Sequence, residues 1–377
     1  MANVLTDLAA DIYKAADIVG REQVGAIPSV TINSGSEAAA QGDTVRSHQT
    51  RKPTLNASVT PSMTIPEGDD QTVDNKTFSL NKIANVQIPW TGEDMKHVNN
   101  GSGFDTIYGD QIAQAMRVIT NQIEADVNVE AYKNSSRNIG TAGTTPFGSN
   151  FDSVAELRQI LVDNGAPMDG QSTLVINTAA GTKLRNLAQL QKANEAGGSQ
   201  LLRQGTLLDL QGIMIKESAG VQAHTAGTGA SYLLNGALSV GDTTVTVDTG
   251  SGTILAGDVV TIGNHKYTVK TALGGGTFTI GEVGIVEAAA DNLAITVAGD
   301  RTANVCFHKN AIELAVRPLE NPFGGDAADD MVVVQDPMSG LVYQISAYKG
   351  YKKAMFDITV LYDVKAWNED FIAGLMG

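Results

Sequence analysis

The chain is poor in cysteine and in aromatic residues. Cys306 is the only cysteine among 377 residues, which excludes an intramolecular disulfide and a zinc site built on several cysteines. Aromatic residues make up 5% of the sequence, whereas glycine occurs 40 times. Because glycine favours turns, this composition indicates many turns and extended segments rather than one compact helical block. The length predicts two or three packing units.

Positive charge is also scarce. The sequence has 26 Lys and Arg residues and 41 Asp and Glu residues, so its formal net charge is −15. Affinity for nucleic acid rests largely on Lys and Arg, which displace counterions from the phosphates. Direct binding of DNA or RNA is therefore disfavoured. A protein that works beside nucleic acid without adhering to it would be acidic as well, and both interpretations stay open here.

No segment is typical of export or of membrane insertion. Residues 1–20 contain acidic residues and lack a basic region followed by an apolar one, so they do not predict a secretory signal. No run approaches the roughly 18 apolar residues that span a bilayer. These patterns predict a protein that is made and used in a reducing cytoplasm.

The motifs of common enzymes are missing. No HExxH zinc motif occurs around the five histidines, which are His48, His97, His224, His265 and His308. The sequence has no complete GxGxxG, no phosphate-binding GxxxxGK[ST] and no GxSxG nucleophile elbow. The glycines at 274–276 are more simply a turn between two strands.

Two further groups of residues have plainer structural interpretations. Cys306 and His308 lie two positions apart on a predicted strand, where we do not expect their side chains to converge into a dyad. A buried cysteine that packs as a small hydrophobe is the better interpretation. The acids at 69–70, and Asp326 with those at 329–330, lack EF-hand spacing and predict solvated turns. We therefore expect no catalytic, cofactor-binding or metal-binding residue, and no enzyme.

The first 60 residues change character near Gly20. Apolar residues recur before it at intervals of three or four, at Leu5, Leu8, Ile12, Ala16 and Val19. This spacing predicts an amphipathic helix. Residues 21–60 are rich in Gly, Ser, Thr and Asn and predict an extended arm that has little to bury alone. Deleting the arm is therefore expected to leave a folded subunit.

One very long helix is predicted over 105–135, with Asp105 as its N-cap. Apolar residues recur there every three or four positions, at Tyr108, Ile112, Ala115, Ile119, Ile123, Val127 and Ala131. Sustained heptads with paired charges are absent, so a coiled coil is disfavoured. Before this helix, alternating residues predict strands at 77–80 and 84–88, within a long hairpin-like loop that Trp90 closes.

An α/β unit follows the long helix. A Gly/Thr/Pro loop at 138–147 precedes a helix over 152–162, with Asp152 as N-cap and Asn164-Gly165 as C-cap. A buried strand at 173–176, a helix over 179–191 and a strand ending near 215 complete the unit.

Short β-branched segments flanked by glycine dominate 225–299, and they predict a small β-barrel or sandwich inserted into a host fold. After the insert, strands are predicted at 304–307, 332–334, 342–348 and 353–363, and a short helix at 310–315.

Several stretches in this order resemble the coat proteins of tailed bacteriophages. VTPSMTIPEGDDQTV (59–73), running on to VQIPWTGEDM (86–95), resembles the extended loop of the Podovirus-type coat family, which carries an inserted domain. LRQILVDNGAPMDGQSTLVINTAAGTKL (157–184) and LLDLQGIMIKESAGV (207–221) are similar to the axial domain of such proteins. NVCFHKNAIELAVRPLE (304–320) is similar to the segment that re-enters their main fold.

The resemblance implies an α+β chain with the Hong Kong 97-type capsid fold. Its implied parts are 1–44 (N-terminal helix and arm), 45–95 (E-loop and flanking strands), 96–150 (peripheral domain with the spine helix), 151–224 (axial domain), 225–299 (inserted β-domain) and 300–377 (return to the axial and peripheral domains).

The implied function is that of a major capsid protein. Its hexamers and pentamers would form an icosahedral head around double-stranded DNA, without sequence-specific DNA binding and without a membrane. Scaffolding, portal and decoration proteins are its implied partners, and the virion, assembled in the bacterial cytoplasm, its implied location. The alternatives are an encapsulin-like nanocompartment shell, a β-rich adhesin or glycan-binding protein suggested by the strands of 241–297, and, last, an enzyme that uses Cys306 or His308.

Overall fold

The structure is a computed structural model that describes residues 22–35, 37–48, 59–65, 75–98, 104–191, 209–322, 325–336 and 339–377. The predicted helix over 1–20 and the acids at 69–70 lie outside the described residues. The α-helices in the described ranges are α1 (Gly92–Val98), α2 (Phe104–Lys133), α3 (Asp152–Asp163), α4 (Thr178–Arg185) and α5 (Ala188–Gln191). Short 3-10 helices occur at Ile27–Ser29, Lys309–Ala311 and Glu369–Phe371.

The strands are β1 (Thr31–Ser34), β2 (Thr44–His48), β3 (Asn75–Ser79), β4 (Lys82–Thr91), β5 (Arg137–Gly140), β6 (Ser172–Ile176), β7 (Met214–Glu217), β8 (Ala223–His224), β9 (Tyr232–Leu234), β10 (Thr244–Asp248), β11 (Val259–Ile262), β12 (His265–Gly274), β13 (Thr277–Ile280), β14 (Ala294–Val297), β15 (Arg301–His308), β16 (Ile312–Arg317), β17 (Ala328–Gln335), β18 (Val342–Gly350), β19 (Lys353–Ala366) and β20 (Ile372–Met376).

The predicted long helix is confirmed as α2, which has 30 residues. Because α2 already includes Phe104, Asp105 lies inside the helix and is not its N-cap. At a rise of 1.5 Å per residue, it is about 45 Å long. Its apolar stripe is buried at Ile112, Ile119, Ile123 and Val127. Burial of this stripe, rather than helix propensity alone, stabilises so long an element.

The stripe of α2 packs on a mixed sheet in the order β1-β16-β19-β18-β17, with β4 paired to β19. The pairing of β4 with β19 extends from Lys82 opposite Tyr362 to Thr91 opposite Lys353. The strands predicted at 77–80 and 84–88 are confirmed as β3 and β4, but they do not form a hairpin together. β3 instead pairs with β2, so the long loop joins β2 to β3.

A second sheet runs in the order β5-β20-β15-β6-β7. Its central strand β15 is buried on both faces, because Phe307 faces the core beneath α2 and Cys306 faces the core beneath α3 and α4. The two cores therefore meet across one strand.

The predicted small β-domain is confirmed as a closed barrel of six strands. The order is β11-β14-β9-β10-β13-β12, and β11 pairs with β12 to close it. Its core is its own, with Tyr267 and Phe278 as the largest buried side chains. Closure leaves no unpaired strand edges on the barrel. The barrel is also joined to the second sheet, since β12 pairs with β5 at Tyr267 and Arg137.

The helix predicted over 310–315 is wrong. Only Lys309–Ala311 forms a 3-10 turn, and β16 follows it. Ala, Glu and Leu favour a helix locally, but β16 lies between β1 and β19 and is buried on both faces. Tertiary burial here overrides local propensity.

Three smaller predictions are also corrected. Phe151, not Asp152, is the N-cap of α3, and it makes no side-chain cap bond. The helix predicted over 179–191 divides into α4 and α5 around Asn186, which caps α4. The loop predicted over 138–147 begins inside β5, a strand that alone has too few residues to show periodicity.

Candidate assembly surfaces

A buried carboxylate fixes the start of the described chain to α2. Glu124 is 1% exposed. Its Oε1 accepts hydrogen bonds from the backbone N–H groups of Gly25 at 2.9 Å and Ala26 at 2.7 Å, and its Oε2 accepts one from Ile27 at 2.8 Å. The Ser218 hydroxyl donates to Oε1 at 2.6 Å. Burying a charge is costly unless hydrogen bonds replace its water, so this set of donors allows Glu124 to stay buried.

One and two helical turns before Glu124, at Asn121 and Arg117, α2 also binds Glu22. The Arg117 guanidinium donates twice to this carboxylate, and Asn121 Nδ2 donates to its Oε2 at 2.7 Å. The hydrogen bonds from Arg117, the larger effect, and from Asn121 lower the pKa of Glu22 from 4.5 to about 2. Arg117, Asn121 and Glu124 share one face of the helix, at positions i, i+4 and i+7. We call these three residues the arm ladder.

Beyond the ladder, the arm stays on its own subunit. β1 pairs in parallel with β16, and Arg317 Nη1 donates to the Asn33 carbonyl at 2.6 Å. Ala26 and Ile27 belong to the core beneath α2, and Val45 of β2 to a smaller core. The expectation that the arm buries little within its own chain is therefore wrong for residues 22–48.

A different segment is left uncovered. Between β2 and β3, residues 59–65 expose Val59 by 92%, Met63 by 105% and Ile65 by 89%. Three large apolar side chains within seven residues form a contiguous exposed feature, which is typical of an interaction site. This segment is the first candidate assembly surface.

A groove lies between α2 and β4, with a volume of about 680 Å³. Ala84, Val86, Val118 and Ile119 supply its apolar lining. At its polar end Asp126 Oδ2 accepts hydrogen bonds from Lys82 Nζ at 2.9 Å and from the Tyr362 hydroxyl at 2.8 Å. Burial and the bond to Asp126 raise the pKa of Tyr362. We call this the α2–β4 groove.

The barrel is attached to the body at a buried aspartate. Asp258 is 0% exposed, and its Oδ1 lies 2.7 Å from His224 Nε2. The Leu255 N–H donates to its Oδ2 at 2.7 Å. Arg301 donates to the Gly257 carbonyl, and burial lowers the pKa of Arg301 to about 10 while Asp258 opposes that shift. His224 precedes the barrel in the chain and Arg301 follows it. The barrel turn at Gly257 and Asp258 therefore binds the segments that enter and leave the barrel.

A second attachment lies at the end of α2. The hydroxyls of Ser135 and Thr268 are 2.6 Å apart, and Asn138 Nδ2 donates to Thr268 Oγ1 at 2.6 Å. Lys270 forms an ion pair with Glu369. Together with the β12–β5 pairing, these contacts fix the barrel against the second sheet.

The structure gives Cys306 and His308 separate partners. Being two positions apart on β15, they share a face of the strand, but no hydrogen bond joins them. Cys306 is fully buried, and burial raises the pKa of its thiol. His308 Nε2 lies 3.0 Å from Asp169 Oδ1, and its Nδ1 accepts from the Asn310 N–H at 3.3 Å. Both ring nitrogens of His308 are therefore bonded to Asp169 and Asn310, and neither contacts the thiol.

The remaining candidates have partners of their own. His265 lies 3.7 Å from Glu287. Tyr348 donates to Asp326, Lys349 binds Asp329, and Asp330 accepts from the next backbone N–H. The side chains of His48 and His97 lie outside the described residues. In the described ranges no group of three His, Cys, Asp or Glu residues is placed to hold a metal ion.

None of the helices in the part of the chain that the structure describes is long and apolar enough to cross a membrane. Sequence reasoning missed the two acids that organise the molecule, Glu124 and Asp258. Asp258 directly precedes β11, and no residue near it in the sequence indicates that it is buried.

Comparison with known proteins gives a fold. Neither a family model nor a curated protein matches the sequence. The capsid structure of cyanophage P-SCSP1u is similar at a TM-score of 0.50 and 11% identity, over 95% of this chain and 89% of that one. The structure titled Mycobacterium phage Che8 gives a TM-score of 0.49 and 12% identity, over 95% and 92%. The SrpI encapsulin of Synechococcus elongatus gives 0.41 and 10%, over 99% and 95%. The chain has the α+β fold of tailed-phage capsid proteins.

Proposed function

We propose that this chain is the major capsid protein of a tailed bacteriophage. Its copies would assemble as hexamers and pentamers into an icosahedral head that encloses double-stranded DNA. The observation that carries the proposal is the capsid fold, which extends over 95% of the chain. At 11% identity the likeness supports the fold, and the step to a shell rests on the uncovered surfaces of the subunit.

The segment 59–65 supports this step. Its three exposed apolar side chains gain stability only against another surface. Obligate interfaces commonly bury more than about 2,000 Å². In a closed symmetric assembly each copy both offers and receives the same contacts, so modest contacts add up around the shell.

The charge of the chain fits a container for DNA. With a formal net charge of −15, a shell built from this subunit has little general affinity for phosphates, so packaged DNA stays mobile against it. We propose that the chain has no catalytic role and binds no cofactor or metal. Its partners are further copies of itself, a scaffolding and a portal protein during assembly, and decoration proteins on the finished virion.

The test is electron microscopy of the chain expressed in a bacterial cytoplasm together with its neighbouring genes. The wild type is expected to form closed shells. Replacing Val59, Met63 and Ile65 together by Ser is expected to give folded subunits that do not close. The matched control is Val240→Ser, which changes a 66% exposed valine on the barrel and is expected to leave assembly unchanged.

Two outcomes would contradict the proposal. If only monomers and small oligomers appear under all conditions, the chain is not a shell subunit. If closed shells form that hold a protein cargo and take up no portal, the chain is a nanocompartment shell instead.

A further inference from the structure

In the described ranges the first sheet ends in three outer strands, β1, β4 and β17, and β17 alone is unprotected against pairing with another chain. β1 has four residues, and β4 carries Lys82 and Pro89. Short length, lysine and proline are features by which proteins keep an edge strand from accepting a further strand. β17 has eight residues and contains neither lysine nor proline. Among the strands that the structure describes, it pairs with β18 alone, so its other edge presents backbone donors and acceptors.

The side chains of β17 are incompletely covered on both faces. Val333, on the face away from α2, is 47% exposed. Val332, on the face that packs on α2, is only partly buried at the margin of that core. In the neighbouring strand β18, by contrast, all residues from Val342 to Ser346 are buried. A further strand beside β17 therefore has apolar surface to cover on both sides of the sheet.

The sequence of β17 suits a second copy of itself. Residues 331–335 read MVVVQ and carry no charge. When a twofold axis relates two antiparallel strands, facing residues lie on the same side of the sheet only if one residue sits on the axis. A self-pair of β17 centred on one residue therefore brings apolar side chains against apolar side chains.

Charge selects the residue at the axis. With Val332 on the axis, Asp330 lies opposite the partner's Val334, and no acid faces another acid. With Val333 on the axis, Asp330 would lie opposite the partner's Asp336. Like charges that face each other across two strands destabilise the pair, so the register centred on Val332 is favoured.

We propose that the β17 strands of two copies pair in antiparallel fashion about a twofold axis at Val332 and join the two sheets edge to edge. Each copy offers and receives the same strand, as a twofold contact requires. This contact deepens the proposed function, on which it rests for the many copies that a shell brings together. One strand pair buries far less than the roughly 800 Å² per partner of a stable interface, so the contact alone gives a weak dimer that repetition around a shell strengthens.

Disulfide trapping tests the register directly. Val332→Cys brings two thiols together at the axis, because facing residues of an antiparallel pair have Cα atoms about 4.5–5.5 Å apart, within the range of a disulfide. Mild oxidation of the purified subunit is expected to give a covalent dimer. Cys306 is fully buried and adds no competing thiol. The matched control is Ile83→Cys, at a 43% exposed side chain of β4, and it is expected to give no covalent dimer.

Sedimentation velocity gives a second, independent readout. The wild-type subunit is expected to dimerise reversibly as its concentration rises. Val333→Lys changes an exposed side chain, so the subunit stays folded, but it places a charge on the open edge next to the axis. The dissociation constant of the dimer is expected to rise about tenfold, because two lysines then face the same contact. Ile83→Lys on the opposite edge is expected to leave the dissociation constant unchanged.

Three results would overturn the proposal. One is the absence of a covalent dimer of Val332→Cys both in free subunits and in shells; if the wild type nevertheless forms closed shells, the proposed function stands without this contact. Another is crosslinking of Val332→Cys to Met63→Cys in a mixture of the two variants in place of crosslinking to itself, which assigns the edge to segment 59–65 of another copy. The third is identical sedimentation of the wild type and Val333→Lys at every concentration. Conversely, a covalent dimer of Val332→Cys in a chain that never forms shells supports the contact and contradicts the proposed function.

Discussion

Glu124→Gln tests whether one buried carboxylate fixes the path of the N-terminal arm. The substitution keeps the shape of the side chain but replaces one acceptor oxygen by an NH₂ group and removes the charge. One backbone N–H among Gly25, Ala26 and Ile27 then faces a donor, and the other bonds become neutral. Losing a bond to a charged group costs about 1.5–3 kcal/mol, and three weakened bonds add roughly 0.5 kcal/mol each. The expected local loss is about 3–4.5 kcal/mol.

The loss is best measured by native-state amide hydrogen exchange of residues 25–27. Each 1.4 kcal/mol is a factor of ten, so exchange is expected to accelerate by roughly 100- to 1,500-fold. Glu156→Gln, at an exposed glutamate of α3, is the matched control and is expected to change nothing. A change below about fivefold at residues 25–27 would refute the role of Glu124, because the arm would then be held by its other contacts.

Two further predictions follow from the buried and paired charges. The pKa of Glu22 is lowered from 4.5 to about 2, so its pairing with Arg117 contributes stability that is present above pH 4.5 and is lost as the pH falls towards 2. Amide exchange of residues 22–24 is expected to become faster over this pH window. In Arg117→Gln the same exchange is expected to be fast and to depend less on pH. Asp258→Asn removes the charge that faces His224 and Arg301. This change is expected to lower the free energy of unfolding by about 3 kcal/mol and to accelerate amide exchange at residues 225–229. The control Glu287→Gln, at the exposed pair with His265, is expected to leave this exchange unchanged.

Sequence reasoning succeeded where a pattern was long or was repeated. The apolar stripe of α2 extends over seven turns, so chance is a poor explanation for it. The barrel has several short strands of the same type separated by glycines, and their repetition predicted a small β-barrel or sandwich. The helix predicted at 310–315, where β16 lies, was wrong. Its six residues have mixed propensity, and burial between the two neighbouring strands decides their conformation.

The buried acids were inaccessible to sequence reasoning for a different reason. The backbone donors of Glu124 lie 97 to 99 residues before it. A glutamate on a helix ordinarily faces solvent, and no neighbouring residue indicates that distant N–H groups converge on this one. Such a site is a property of the folded chain and has no local pattern.

This convergence changes what deleting the arm would do. Removing residues 21–60 would take Ala26, Ile27 and Val30 out of the core beneath α2, and would remove the three backbone donors that bind Glu124. Both effects destabilise the subunit itself, so the expected result is poor folding rather than a folded subunit that fails to assemble. A clean separation of folding from assembly requires changes confined to residues 59–65, where the exposed side chains contribute little to their own subunit. If the deletion of 21–60 instead gave a stable monomer with unaltered thermal unfolding, the arm would have to be an accessory to the core, which its contacts contradict.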